Sequence, residues 1–464
     1  MQRRLMGVVL LVGCLVAAAV HAAEQPAPPG LAKIKVLDLT TAQTLALAGN
    51  PDMAAAQARI EQARARVRQA AATWLPSLDM SGTGARQRLS ESSYQTSKNL
   101  YSRFGMSTDQ TTENYSTGLQ ATWLLFDGFY RTFREQQAMY GEQAADAGLI
   151  DSRRLLVTSV AEAFLNAQLA QTYIDIARAD ETFYSRQLED AQNRFKVGAG
   201  PWGDVLNIKV QVNSAKTTLI RSQREFEAAS YGLAALLGIS EGAFPPQIRL
   251  ASLDKDTALA EQRENPDTLI KAALAARPDI RRLEMAVKQA EAGTGMAKAP
   301  LYPKVQIAGA LEGTREGSAR LTDDDFGNTV AMNMSWNLYA GGADKARMIE
   351  AEQAKREVAY TLAGLRNGVA AEIRQNLALL ASAQDQVRLQ RDTVQLVQEN
   401  RDLAKNEYEA GEASLVRLNE AQRDLTTTHG RLAQALVAYQ LAQQRLLSAT
   451  GRNLAGFAPP VKDN

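Results

Sequence analysis

The chain has 464 residues with nearly balanced charge, 52 Lys and Arg against 51 Asp and Glu, so no basic surface advertises nucleic acid or an anionic bilayer. One cysteine and two histidines leave almost nothing for zinc or thiol chemistry. The length allows two or three ordinary domains, but the helical runs argue instead for one elongated body.

The N-terminus carries Arg3 and Arg4, an apolar run from Leu5 to Val20, and small residues at Val20-His21-Ala22. This is the form of a secretory signal over residues 1–22 and predicts an exported protein. Cys14 lies inside the run, and Leu11-Val12-Gly13-Cys14 resembles a lipoprotein cleavage box. Against lipidation, Leu15 to Val20 stay apolar. Cleavage after Ala22 or Ala23 removes Cys14 and leaves no disulfide to hold the fold. Beyond the signal no apolar run reaches ~18 residues, so a bilayer would be crossed only with strands.

A tandem duplication organises the rest. Asn50-Pro51-Asp52 matches Arg277-Pro278-Asp279, and Trp74-Leu75-Pro76 matches Leu301-Tyr302-Pro303, both 227 residues apart. Trp123, Leu125 and Gly128 match Trp336, Leu338 and Gly341 at a spacing of 213, which holds on to Gly238 and Gly451. The 14-residue difference falls between Pro76 and Trp123. The expected division is a first copy over 23–240, a linker over 241–267, a second copy over 268–451 and a tail over 452–464.

Each copy opens with a helix, Pro51 to Trp74 or Pro278 to Ala299, with proline in the first turn where its missing N–H costs nothing. Pro76 and Pro303 stop the helical pattern, and the hydrophobic period changes from 3.6 to 2. Val305, Ile307, Gly309 and Leu311 alternate with polar residues, as do Val330, Met332, Met334, Trp336 and Leu338. In the first copy Tyr115, Leu119, Ala121, Trp123 and Leu125 alternate, whereas Leu78 to Arg86 is weaker and rich in glycine. Four strands of roughly ten residues are long enough to cross a bilayer at ~45° tilt, with Trp123, Phe126, Trp336 and Tyr339 at one end as an interfacial girdle. The polar stretches between paired strands, Ser90 to Glu113 and Thr314 to Gly327, read as exposed loops. Gly128 and Gly341 supply backbone freedom where strand turns into helix.

Two helical stretches follow, Gly128 to Lys196 and Gly341 to Glu409, each of about 68 residues and ~100 Å at ~1.5 Å per residue. Val157, Val160, Phe164, Ala167 and Ile174 in one, and Leu389, Leu396 and Leu403 in the other, have the spacing of helices packed along their length. A glycine turn and a further helix complete each copy, Asp204 to Leu237 or Ser414 to Ala449. The first and last helices of a copy nearly match the long one in length and are expected to run antiparallel beside it. Four strands cannot close a barrel, which needs ~8, so the protomer must oligomerise. A dimer would be packed nearly solid, and a trimer would leave a lumen.

These features resemble the TolC-type outer membrane efflux proteins over nearly the whole mature chain. The resemblance implies a mainly α fold with a membrane β part. In it a tandem-duplicated protomer builds a long-helix α-barrel and contributes four strands to a trimeric, twelve-stranded transmembrane β-barrel. It further implies a homotrimer in outer membrane lipid with a periplasmic extension, passively exporting small molecules or proteins. Implied partners are a periplasmic adaptor (membrane fusion) protein and an inner-membrane RND, ABC or MFS transporter, as in drug efflux, metal export and type I secretion. Phe195-Lys196-Val197-Gly198 and Tyr408-Glu409-Ala410-Gly411 match the family's aromatic-x-x-Gly tip. Val197, Gly198, Ala199, Ala410, Gly411 and Glu412 are therefore the implied docking residues, although the same glycines also serve simply to close a turn. By the family's spacing, Asp204, Tyr408, Arg417 and Glu420 are implied to narrow the periplasmic end. Arg417 replaces an acidic residue there and Ala413 a latch arginine, so a purely acidic gate is not expected. The alternative for Arg417 and Glu420 is a solvated ion pair on one helix face.

No catalytic residue, cofactor or metal site is expected: His429 sits in a helix, and no Gly-Lys pair offers a P-loop lysine. A different class of function, a soluble periplasmic coiled-coil adaptor or scaffold, shares the signal and the heptads. It lacks four alternating strands bounded by proline and glycine.

Overall fold

A computed structural model describes residues 34–245, 248–254, 256–259 and 264–457. The expected signal, Cys14 and the cleavage sites lie outside the described residues. In chain order the first copy contains β1 (Val36–Leu37), α1 (Leu39–Gly49), α2 (Pro51–Ala72), β2 (Ser77–Arg88), α3 (Glu91–Ser102), β3 (Thr111–Phe126), α4 (Tyr130–Lys196) and α5 (Trp202–Leu236). After β4 (Arg249–Leu250), the second copy contains α6 (Pro266–Ala276), α7 (Pro278–Lys298), β5 (Lys304–Glu316), β6 (Phe326–Ser335), α8 (Ala343–Ala410) and α9 (Leu415–Ala449).

Four features depart from the sequence reading. The stretch Ser90 to Glu113 is not all loop: Ser90 caps the helix α3, its hydroxyl accepting from Ser93 N. In the second copy the returning strand ends at Ser335, so Trp336, Leu338 and Tyr339 lie beyond it. There the Asn337 side chain accepts from Tyr339 N at 3.2 Å, a turn that competes with strand pairing. Each copy also starts with a short helix ahead of its proline, α1 or α6, capped by Asp38 accepting from Thr41 N or by Asn265 accepting from Asp267 N. The segment expected as a linker over 241–267 therefore ends inside α6, and it holds β4, which pairs in parallel with β1.

The residues form two compact units. Among the described residues, one comprises 34–51, 159–254 and Val394–Gln434, with a core of Tyr184, Ala191, Val205, Ile208, Val212 and Leu415. The other comprises Asp52–Thr158, Asp256–Thr393 and Ala435 onward, with a core of Leu269, Ala273, Ile280, Leu362, Val369 and Ile373.

The second unit contains the sheet, an antiparallel set ordered β2-β3-β5-β6. In the first hairpin Ser77 lies opposite Thr122, and in the second Lys304 lies opposite Ser335. These are the same two positions shifted by 227 and 213, so the hairpins share one register. The central pairing of β3 with β5 sets Trp123 opposite Ile307, with an irregularity between Leu124 and Phe126. Strands β2 and β6 form the outer edges, and almost all their residues are exposed.

Candidate functional site

Four constellations recur in both copies. At the end of the first helix, the Trp123 indole donates to the Trp74 carbonyl at 3.0 Å, and the Trp336 indole donates to the Leu301 carbonyl at 3.3 Å. Both tryptophans are about half exposed, with the polar atom of each tied to a helix end that would otherwise lack a partner. Phe126 packs edge-on against Phe129 and Tyr302, while Tyr339 is 84% exposed.

The transition from strand to long helix uses two successive residues with positive φ. They are Gly128 (φ 71°) and Phe129 (φ 68°) in the first copy, and Gly341 (φ 64°) and Gly342 (φ 87°) in the second. Phe129 is the one described non-glycine residue in that region. Its ring, set edge-on to Phe126 at 5.4 Å and Tyr302 at 5.8 Å, holds a backbone conformation costing roughly 1–2 kcal/mol. A Cβ on Gly128 would lie 2.4 Å from the Ala299 carbonyl oxygen, whereas nothing lies within 4 Å of one on Gly341. The first transition is also pinned by a buried pair that sequence reasoning missed. The Arg131 Nε donates to Asp127 at 3.1 Å, and its terminal nitrogens donate to the Thr73 and Leu125 carbonyls. The guanidinium lies 4.4 Å over the Trp74 ring. Pro76 and Pro303 stand immediately before β2 and β5, as their bias toward extended backbone requires.

The third constellation is the turn between the long helix and the last one. Gly198 (φ 74°) donates to the Phe195 carbonyl, and Ala199 N to that of Arg194; Gly411 (φ 81°) donates to Tyr408, and Glu412 N to Glu407. This is one helix-ending motif built twice, and it gives the glycines a turn-closing role on their own. Around it Val197, Gly198, Ala199, Ala410, Gly411 and Glu412 are all exposed. The Tyr408 hydroxyl donates to Asp204 at 3.4 Å, and the Arg194 guanidinium lies 5.4 Å over its ring. Burial and then the Asp204 charge push the Tyr408 hydroxyl above its usual pKa. Arg417 pairs across the turn with Glu407 at 3.3 Å rather than with Glu420, so the structure brings Asp204 and Tyr408 together and leaves Glu420 exposed.

Where the first and last helices of a copy meet, the residue before each proline caps the last helix. Asn50 Nδ2 donates to the Leu236 carbonyl at 2.9 Å, and Arg277 Nη1 donates to the equivalent Ala449 carbonyl at 3.0 Å. Arg277 also binds Asp279 through two nitrogens and reaches Glu372 at 2.6 Å, and Arg154 lies 3.7 Å from Asp279. Sequence repetition marked both tripeptides but carried no sign of what the first residue holds. Among the described residues no group of three or more His, Cys, Asp and Glu side chains is arranged to hold a metal ion, and no helix is long and apolar enough to cross a membrane.

Comparison with known proteins places these features. The family model described as "Outer membrane efflux protein" matches residues 43–239 and again 269–452. The chain belongs to the outer membrane efflux protein family. Nodulation protein T of Rhizobium leguminosarum bv. trifolii is 27% identical over 439 residues, covering 91% of this chain and 87% of that protein. Cation efflux system protein CusC of Escherichia coli K12 is 25% identical over 418 residues, covering 88% and 84%. A crystal structure of CusC superposes with a TM-score of 0.75 at 22% identity, covering 90% of this chain and 94% of that one. As an outer membrane efflux protein the chain has the mainly helical fold with a membrane β part, resides in the outer membrane, and serves efflux transport.

Proposed function

We propose that three copies of this chain join edge to edge into a closed barrel and act as a passive export conduit. The observation that carries this reading is the sheet itself. Four strands of 12, 16, 13 and 10 residues end in two unpaired edges, β2 and β6. Unpaired edge amides in hydrocarbon cost several kcal/mol each, so the strands become a stable wall only when neighbouring copies close the ring. Three copies bring the wall to twelve strands, enough for a water-filled lumen where eight would pack nearly solid.

The exposed turns at Val197–Ala199 and Ala410–Glu412 are the proposed docking points for a periplasmic adaptor, which links the conduit to an inner-membrane pump of the RND, ABC or MFS kind. Support comes from their matched geometry and from open space around both glycines, which lets a partner backbone approach closely. Asp204, Tyr408, Arg417 and Glu420 are proposed to line the adjoining constriction. The cargo comes from the pump. One relative is named for cation efflux and another for toluene efflux, which supports a cargo set outside this component.

Purification from outer membranes in mild detergent and recording in planar bilayers test the proposal. The expected result is a heat-sensitive trimer with steady ion conductance. A stable, water-soluble monomer released by osmotic shock would overturn it in favour of a periplasmic scaffold.

A further inference from the structure

We propose the register of the seam between subunits: Met332 and Met334 of β6 lie opposite the partner's Gly84 and the partner's Gly82, and Trp336, which follows the end of β6 in the single chain, continues the strand at the seam opposite the partner's Met80. This rests on the trimeric reading above and adds which residues meet. Inside the chain, β3 of the first copy pairs with β5 of the second. The duplication makes β6 the equivalent of β3, and β2 the equivalent of β5, so the pairing still unmade is β6 against the partner's β2. The two hairpins carry over onto each other with no slip, which licenses carrying the central register over in the same way. Leu119 opposite Leu311 becomes Met332 opposite the partner's Gly84. Ala121 opposite Gly309 becomes Met334 opposite the partner's Gly82, and Trp123 opposite Ile307 becomes Trp336 opposite the partner's Met80.

Side-chain size supports the same register independently. Strand β2 carries two glycines at the seam, and a Cβ on Gly82 would meet nothing within 4 Å while one on Gly84 would meet the Tyr115 ring at 3.4 Å. Met332 and Met334 are about two-thirds exposed in the protomer. Seating the Met334 thioether over Gly82 fills the gap there, and seating Met332 at Gly84 beside the Tyr115 ring covers apolar surface, the device by which large side chains compensate glycines on edge strands. A slip of one residue would turn every β6 side chain to the other face.

Beyond the strands the same transfer accounts for two further exposed groups. The Phe126, Phe129 and Tyr302 cluster becomes Tyr339, Gly342 and the partner's Leu75. Both Tyr339, at 84%, and Leu75, at 70%, are exposed in the protomer and cover each other across the seam. The contact of Gly128 with Ala299 and Tyr302 becomes one of Gly341 with the partner's Ala72 and the partner's Leu75, which explains a glycine with empty space around it in the single chain. Tyr339 then belongs to the subunit seam rather than to a lipid-facing girdle.

The test is cysteine cross-linking of the full-length protein in outer membranes with a short bifunctional thiol reagent, read as covalent dimer and trimer on denaturing gels. Met332→Cys with Gly84→Cys should cross-link at least tenfold faster than the slipped pairs Met332→Cys with Gly82→Cys and Met332→Cys with Arg86→Cys. Ala331→Cys with Ala85→Cys, which alters no glycine, should cross-link as fast as the first pair. Single-cysteine variants, with Cys14 retained, should give no covalent trimer. A slipped pair that reacts fastest overturns the register, as does failure of every pair in a protein that is trimeric by light scattering. A monomer by light scattering removes the trimer itself and the seam with it.

Discussion

Arg277 is the most heavily engaged side chain at the junctions between first and last helices, and truncating it should expose the difference between the two copies. Arg277→Ala removes two hydrogen bonds to Asp279, one to Glu372 and one to the Ala449 carbonyl, leaving the buried Asp279 with the Ile280 N–H and, at 3.7 Å, Arg154. Breaking a buried ion pair from one side costs about 3–5 kcal/mol. The matched change in the first copy, Asn50→Ala, removes a neutral bond to Leu236 and costs about 1 kcal/mol. A difference of ~3 kcal/mol is roughly a hundredfold in local opening, and hydrogen exchange read by mass spectrometry resolves it segment by segment. Protection over Pro266–Ala276 should fall by more than a hundredfold in Arg277→Ala, at about 3–5 kcal/mol, and protection over Leu39–Gly49 less than tenfold in Asn50→Ala. Equal losses would refute the reasoning, because they would mean that the cap to the helix end, and not the ion pair, holds the junction. The pH dependence follows from Asp279. Burial alone raises its pKa, but the hydrogen bonds and charge of Arg277, the charge of Arg154 and the Ile280 N–H outweigh burial and hold it below 3.8. A carboxylate lowered on folding stabilises fully above its unfolded value and loses that contribution as pH falls through the folded one. Protection at this junction should therefore hold from neutral pH down toward the ordinary carboxylate range and drop only below it, and Asp279→Asn should abolish that drop.

Trp123→Phe and Trp336→Phe each remove one indole-to-carbonyl bond at matched positions, so thermal melts of the purified protein should show similar losses of about 0.5–1.5 kcal/mol. A loss in one variant alone would contradict their equivalence. Gly128→Ala should prevent correct folding, since its Cβ would overlap the Ala299 carbonyl. Gly341→Ala should leave a folded protomer, at about 1–2 kcal/mol for the left-handed backbone, that fails to trimerise on a native gel. Identical behaviour of the two would remove the seam argument for Gly341. Arg417→Ala frees the Glu407 carboxylate at the turn, and reversal potentials in planar bilayers should shift toward cation preference. An unchanged potential would take Arg417 out of the conduction path.

The sequence exposes the fold because repetition and period are global signals: two proline pairs and two tryptophan–glycine sets fix the copies, and the change of period marks the strands. It hides what depends on local competition. The short helix α3 lies in a polar, serine-rich stretch with no buried residue, and the Ser90 cap is the signal that announces it. Trp336 and Leu338 keep the strand alternation, yet the Asn337 turn ends pairing at Ser335. The helices α1 and α6 precede prolines that pattern reading takes as starts, and the capping Asp38 and Asn265 are the signals that would have found them. At the turn, Arg417 and Glu420 share a helix face by spacing, but Glu407 on the preceding helix is the partner Arg417 reaches.

That last exchange bears on selectivity. The two positions joined by Arg417 and Glu407 in the second copy are occupied in the first by Asp204 and Arg194, the same charges exchanged between the positions, with Tyr408 lying between Asp204 and Arg194. In the proposed trimer the constriction therefore carries alternating rather than uniform charge. With both signs facing each other within a few ångströms, the field along the axis cancels over a distance shorter than the ~8 Å screening length at physiological salt. The proposed conduit is therefore expected to discriminate weakly by charge at its narrow end.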